Sequence, residues 1–244
     1  MSPRVNAQRL LAVVLLLSQA FGATTLAQGG RPDLSGIWQR VGGGPGLVAG
    51  EPPMTAWGRE KYAAAKPIHG PRTVSPKESN AAELRCLPMG IPGMYFRPRT
   101  FEIVQLQTRA LMLFEVDHMW REIHLDGRQF PDVPLHTWMG YSIGRYEGDA
   151  LVIETRHFRG WEEGAQRWLD RLGHPFSDAL TVVERFRRPT RETLVNEITI
   201  VDPTAYSKPW TATMNYRLRD NFAMGEFICN ELMLSELPDM RPGQ

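Results

Sequence analysis

Cysteine is scarce in this chain: Cys86 and Cys229 are the two present among 244 residues. Two thiols without a close pair of histidines make a poor zinc site. Charge of one sign is not in excess either, with 28 basic and 27 acidic side chains. That balance gives no electrostatic reason to expect nucleic acid or an anionic membrane as partner. No basic run interleaved with aromatics occurs, so the first requirement of a nucleic-acid surface is unmet. Walker, Rossmann, kinase and His-Glu-x-x-His motifs are missing as well. Gly42-Gly43-Gly44 follows a strand-like segment but opens no helix, so it does not read as a phosphate cradle.

What is present begins with an export-type N-terminus. Residues 1–9 carry two Arg and no acid, and residues 10–23 are apolar over about fourteen positions, short for a membrane helix. Small side chains at Thr25 and Ala27 suit cleavage after Ala27. The reading is a signal peptide over 1–27 and a periplasmic or secreted mature chain with no membrane span. One domain is expected over 28–234: an N-terminal strand, helix and Pro-rich loop (28–99), a β core (100–234), then a tail (235–244). Export lets a disulfide persist, and a Cys86–Cys229 bridge is favoured over two buried thiols.

Residues 33–41 read as a first strand. Residues 55–66 read as a helix, with Thr55 as its cap and Pro67 beyond its end. Residues 67–99 hold six Pro and no period; a loop this long wraps the surface or covers something. From Thr100 onward the pattern is β. Strand-like runs start near residues 100, 109, 119, 142, 150, 179, 192, 210 and 222, mostly with short connections. With the first strand this makes about ten, pairing antiparallel with sequence neighbours and closing to remove edges. The expected fold is therefore all-β: an antiparallel meander closing into a barrel, with one helix and the long loop outside.

Alternation places one charge on each of three apolar faces. Arg121 lies with Met119, Ile123 and Leu125; Glu184 with Leu180, Val182 and Phe186; Glu226 with Phe222, Met224 and Ile228. Inward charges are costly unless paired. They read either as structural pairs or as the polar floor of a ligand cavity.

Gly36 and Trp38 in "LSGIW", ahead of a β meander, resemble the Gly-x-Trp that opens lipocalin-type barrels and closes their base. Over nearly the whole mature chain, "RCLPMGIP", "TWMGYSIGRYEGDALVIET", "WLDRLGHPFSDAL" and "DPTAYSKPWT" resemble a family of exported bacterial proteins of uncharacterised activity. In that family the loop reads Gly-His-Pro-His-Ser, whereas here Phe176 stands in place of the second His.

The segment 157–176 is a long insertion in a tightly connected meander, and such loops are often lids. Within and after it, Asp170, His174, Ser177 and Asp178 cluster before an apolar run. Ser177 lacks a nucleophile-elbow context. Asp170 and His174 are candidate acid/base groups, with Glu184 and Glu226 as candidate buried carboxylates. Arg121, His124, Trp120, Trp138 and Tyr216 are candidate ligand contacts, the aromatics as an apolar lining. His118 and His124 are about 20 Å apart on a straight strand, too far to share a metal. No metal and no cofactor is implied. The reading is a small-molecule-binding barrel for a largely apolar or aromatic ligand. The alternative is a cofactor-free isomerase, hydratase, lyase or cyclase in the same cavity, and a third is a structural envelope protein. A filled barrel would favour the last.

Overall fold

Burial along the strands alternates residue by residue, most clearly over Thr193–Val201, as one-sided burial of a pleated sheet requires. The computed structural model describes residues 31–132, 134–161 and 166–229. Within them the strands are β1 (Gly36–Val41), β2 (Thr100–Gln105), β3 (Arg109–Phe114), β4 (Trp120–His124) and β5 (Tyr141–Glu147), followed by β6 (Ala150–Arg156), β7 (Thr181–Thr190), β8 (Thr193–Val201) and β9 (Trp210–Leu218). They form a closed barrel in sequence order, with β1 returning to β9. The expected signal peptide at 1–27 and the tail from 235 lie outside the described residues.

Two expectations about this sheet need correction. The tenth run is not a ladder strand: residues 222–226 carry no regular structure, and Phe227 makes a single bridge to Val116. Pairing is also not wholly antiparallel, because β4 and β5 run parallel. The second correction follows from the first. Around a closed ring of nine strands, directions cannot alternate at every step, so one pair must be parallel. A parallel pair needs a crossover of a dozen or more residues, and residues 125–140 supply it. The seam is short, with Ile123 opposite Ser142 and His124 opposite Ile143.

The helix α1 (Ala56–Ala64) forms as its cap predicts: the Thr55 hydroxyl accepts the Gly58 N–H at 3.0 Å. Gly58 sits against the Ala205 carbonyl, where a Cβ would lie at 2.2 Å, so the close approach requires glycine. Trp38 is buried on β1, and its indole N–H donates to the Leu34 carbonyl at 3.0 Å.

The long loop does not stay outside. Its last part, the 3-10 turn Gly93–Phe96, buries Met94, Tyr95 and Phe96. Tyr95 packs against Phe101, Phe114, Phe186 and Tyr216. These rings come from β2, β3, β7 and β9, and without the plug the space between them would be an apolar void that forfeits dispersion contacts. The loop thus acts as a plug. The remaining space beside Tyr95, Phe101, Phe114 and Tyr216 is about 10 Å³, no more than one water.

Candidate functional site

The inward charges of β4 and β7 meet. Arg121 Nη2 lies 2.6 Å from Glu184 Oε2, with both side chains buried. The same guanidinium donates to Ser142 Oγ (2.9 Å), Thr155 Oγ1 (2.6 Å) and the Tyr95 hydroxyl (3.0 Å). Tyr95 in turn donates to Glu184 Oε1 at 2.7 Å, and Asn196 Nδ2 donates to the same oxygen at 3.0 Å. Burial disfavours the charged form of Arg121, but Glu184 and Tyr95 outweigh it and hold the group above its usual value. Burial first, and Glu184 second, push the Tyr95 phenol far up, so it remains a donor. One guanidinium therefore ties β4 to β5, β6, β7 and the plug, across the seam where only two register pairs join the sheet. This is a buried polar keystone that joins the plug to the barrel wall.

The 166–178 segment holds a second network. Asp170 is fully buried, and its carboxylate accepts the N–H of Leu47 at 2.9 Å and of Leu172 at 3.0 Å. His174 Nδ1 lies 2.6 Å from Asp170 Oδ2, and Tyr62 stacks on the imidazole at 4.9 Å between ring centres. His174 Nε2 is buried without a hydrogen-bond partner among the described residues. Ser177 donates its hydroxyl to Asp202 at 2.8 Å, and its N–H goes to the same carboxylate at 2.6 Å. Ser177 is thus oriented toward an acid rather than toward His174. The segment is a cover packed into the core: Trp168, Leu169 and Phe176 are buried. It shares no hydrogen bond with the Arg121 network among the described residues. Asp170→Asn should cost about 2 kcal/mol, because one charged acceptor serves several buried donors. Urea unfolding checks the cost, and faster amide exchange at Leu47 and Leu172 should accompany it.

The other sequence candidates are dispersed. Trp120 is 57% exposed. His124 is half-buried beside Tyr141, with ring centres 4.9 Å apart. Trp138 lies under the guanidinium groups of Arg159 and Arg167. Tyr216 is buried beside Tyr95 and Phe101, so it belongs to the core around the keystone. Glu226 corrects the alternation argument: its segment is not a strand, and the side chain is exposed.

Sequence reasoning missed a cleft at the barrel rim, where β1 ends and β2 begins. Its volume is about 470 Å³, and Arg40, Arg97, Arg99, Arg171 and His69 line it together with the 42–45 turn. Gly42 and Gly43 both have positive φ (66° and 72°), which bends the chain back after β1. Arg40 then closes on the Gly44 carbonyl at 2.9 Å and lies over the Phe96 ring at 4.4 Å. The Asp170 loop fixes the opposite edge: Leu47 is held by Asp170, and the Arg171 N–H donates to the Pro45 carbonyl at 2.9 Å. No Asp or Glu lines the cleft among the described residues. Glu83 is buried and engaged by Arg97 (2.5 Å) and Arg171 (3.6 Å).

Crowded cations leave a signature here. Burial lowers Arg171, and Arg97 and Arg40 lower it further, against Glu83. Burial and then Arg171 lower His69, with Arg97 adding to the effect and Glu83 opposing it. Arg97 Nε, Arg171 Nε and His69 Nε2 are all buried without a hydrogen-bond partner among the described residues. A second cleft of about 520 Å³ is lined by Trp57, Lys61, Trp161 and Asp178, among others, but both charge signs occur there and no single ligand chemistry follows. The signals that could have pointed to the first cleft are Arg97-Pro98-Arg99 at the end of the Pro-rich loop and Arg171 beside Asp170.

No family model, curated protein or solved structure matches this chain. Its geometry defines it as an all-β protein with a closed nine-strand barrel, an internal plug and an arginine-lined cleft at the rim.

Proposed function

We propose that the protein is an exported binding protein that captures a small anionic molecule in the rim cleft. The observation that supports this most is the convergence of four arginines and a histidine on one open cleft that no carboxylate lines among the described residues. Guanidinium groups in a partly desolvated site recognise carboxylate, sulfonate or phosphate oxygens through paired N–H donors. The volume is in the range of small-molecule sites. This moves the ligand from the barrel interior, which Tyr95 and the keystone fill, to the rim. It also changes the ligand's class from largely apolar to charged. The export part of the reading rests on the N-terminal residues and on the oxidised cysteine pair.

A screen by melting temperature tests the reading. Small carboxylates, sulfonates and phosphate esters should stabilise the protein, by about 2.7 kcal/mol at a hundredfold excess over Kd, and neutral apolar compounds should not. Arg171→Gln and Arg99→Gln should each remove most of the effect. Stabilisation by neutral apolar compounds alone would overturn the proposal.

One arrangement favours the enzymatic alternative. Asp170 fixes His174 through Nδ1 and leaves Nε2 as an unpartnered buried nitrogen, the form a general base takes. His174→Gln separates the two readings: a binding protein keeps its anion affinity, whereas an acid/base enzyme loses turnover of a bound ligand.

A further inference from the structure

We infer that the rim cleft takes a small organic anion bearing at least two negative charges, and that its capture carries a proton onto His69. The inference rests on the reading of the cleft as an anion site and names that site's ligand class and its linkage to pH.

The charge count comes first. Four guanidinium groups line the cleft, and the acid that engages any of their N–H groups, Glu83, already serves both Arg97 and Arg171. Asp170 also acts on Arg40, and Arg99 on Glu115, so four cations face three acids and an excess of cationic charge remains. Two negative charges lower the repulsion between Arg171, Arg97 and Arg40 more than a single charge does. The donors are also divided. Arg97 Nε and Arg171 Nε are separate buried N–H groups without partners among the described residues. Guanidinium groups carried on different loops suit two anionic heads on one body. A volume of about 470 Å³ also exceeds what one inorganic oxyanion fills.

His69 supplies the proton linkage. Its Nε2 is buried and without a partner among the described residues, and its ring lines the same cleft. The charged groups that act on it are Arg171 and Arg97, which oppose protonation, and Glu83, which favours it. Arg40 and Arg99 stand on the other walls. The cations around it disfavour the imidazolium; a dianion in the cleft counters the field of Arg171 and Arg97 and makes the imidazolium more favourable. The sign of the linkage follows. His69 has a higher pKa in the complex than in the empty protein. The extra affinity is fully present below the lower value and is lost as pH rises through the higher one. The cleft would hold its ligand in acid and release it toward alkaline pH.

Permanently charged probes keep the ligand's own titration out of the test. Binding of 1,3-propanedisulfonate and of methanesulfonate is measured by calorimetry on the full mature chain at pH 5.5, 7.0 and 8.5, at fixed low ionic strength. Two buffers of different ionisation enthalpy report proton uptake. The expected result is disulfonate affinity at least about tenfold above the monosulfonate, since one extra ion pair in such a site is worth a factor of this order. Disulfonate affinity should fall about tenfold from pH 5.5 to 8.5, the effect of a shift of one unit, with net proton uptake near neutrality. His69→Gln, checked for native circular dichroism, should still bind disulfonate but with a flat pH profile and no uptake. Equal affinity for the two sulfonates overturns the dianion assignment. A flat profile in the wild-type chain, or an unchanged slope in His69→Gln, overturns the proton linkage while leaving the anion site standing. No binding of either probe at any pH instead removes the anion reading on which this inference rests.

Discussion

Glu184→Leu should cost about 3–5 kcal/mol of folding stability, the effect of breaking a buried ion pair by deleting one partner. Arg121 would be left with its hydroxyl partners Ser142, Thr155 and Tyr95 but no counter-charge. Tyr95 and Asn196 would each lose the acceptor that Glu184 Oε1 provides. Removing both charges together is a different experiment. Arg121→Met with Glu184→Leu takes away the desolvated pair as a unit, and such replacements are often close to neutral. Recovery should cover at least half of the single-mutant loss and stay incomplete, because Asn196 and Tyr95 remain buried and polar. Urea unfolding of the two singles and the double gives the coupling energy directly. A single-mutant cost under about 1 kcal/mol would show that the carboxylate is not desolvated as the structure has it. Because the guanidinium crosses the β4–β5 seam, the Arg121 single variant should also show accelerated amide exchange in β4 and β5 before the rest of the barrel.

Reduction of the Cys86–Cys229 bridge should produce an effect of similar size. The two residues are 143 apart in sequence, with Cα atoms 5.5 Å apart. Closing a loop of that length is worth up to about 5 kcal/mol in the chain-entropy model, and for a domain of this size that corresponds to a fall in Tm of about 10–20 °C. The bridge joins the end of the 3-10 turn Ala82–Arg85 to the segment that follows β9. It is backed by the Cys229 N–H donating to Asp117 at 2.7 Å. Glu83 belongs to that same turn and holds Arg97 and Arg171. Reduced protein, or a Cys86→Ala/Cys229→Ala chain, should therefore lose anion affinity as well as stability. Calorimetric scans with and without reductant measure the first, and disulfonate titration of the double variant the second. An unchanged Tm after complete reduction would mean that the polar contacts alone fix the segment at Cys229.

Much of the barrel was legible because its causes are local. In Thr193–Val201 the period of two puts Leu194, Ile198 and Ile200 on one face, and only one register turns that face inward. Thr55 caps α1 through its own hydroxyl, and Gly148 turns the β5–β6 hairpin at a positive φ of 59°. The inward positions of Arg121 and Glu184 followed from the same period of two. Glu226 failed by that logic: alternation in residues 222–228 is compatible with a strand, but a strand exists only where a partner edge is available. Once β9 pairs with β1, no edge is left.

The residues by themselves determined the β class, the helix and its start, the pairing partner of each cysteine, and the inward side of β4 and β7 on which Arg121 and Glu184 stand. Those features depend on neighbours within a few positions, or on there being only two thiols to join. Tertiary structure alone decided the ring of nine, and with it the parallel seam, since directions around a closed circuit are a global condition. It also decided that Tyr95 fills the interior, because the space between Phe101, Phe114, Phe186 and Tyr216 is defined only when four strands are brought together. The rim cleft arose in the same way. Arg40, His69, Arg97 and Arg171 come from segments up to 131 residues apart, and no local period can bring their charges to one point.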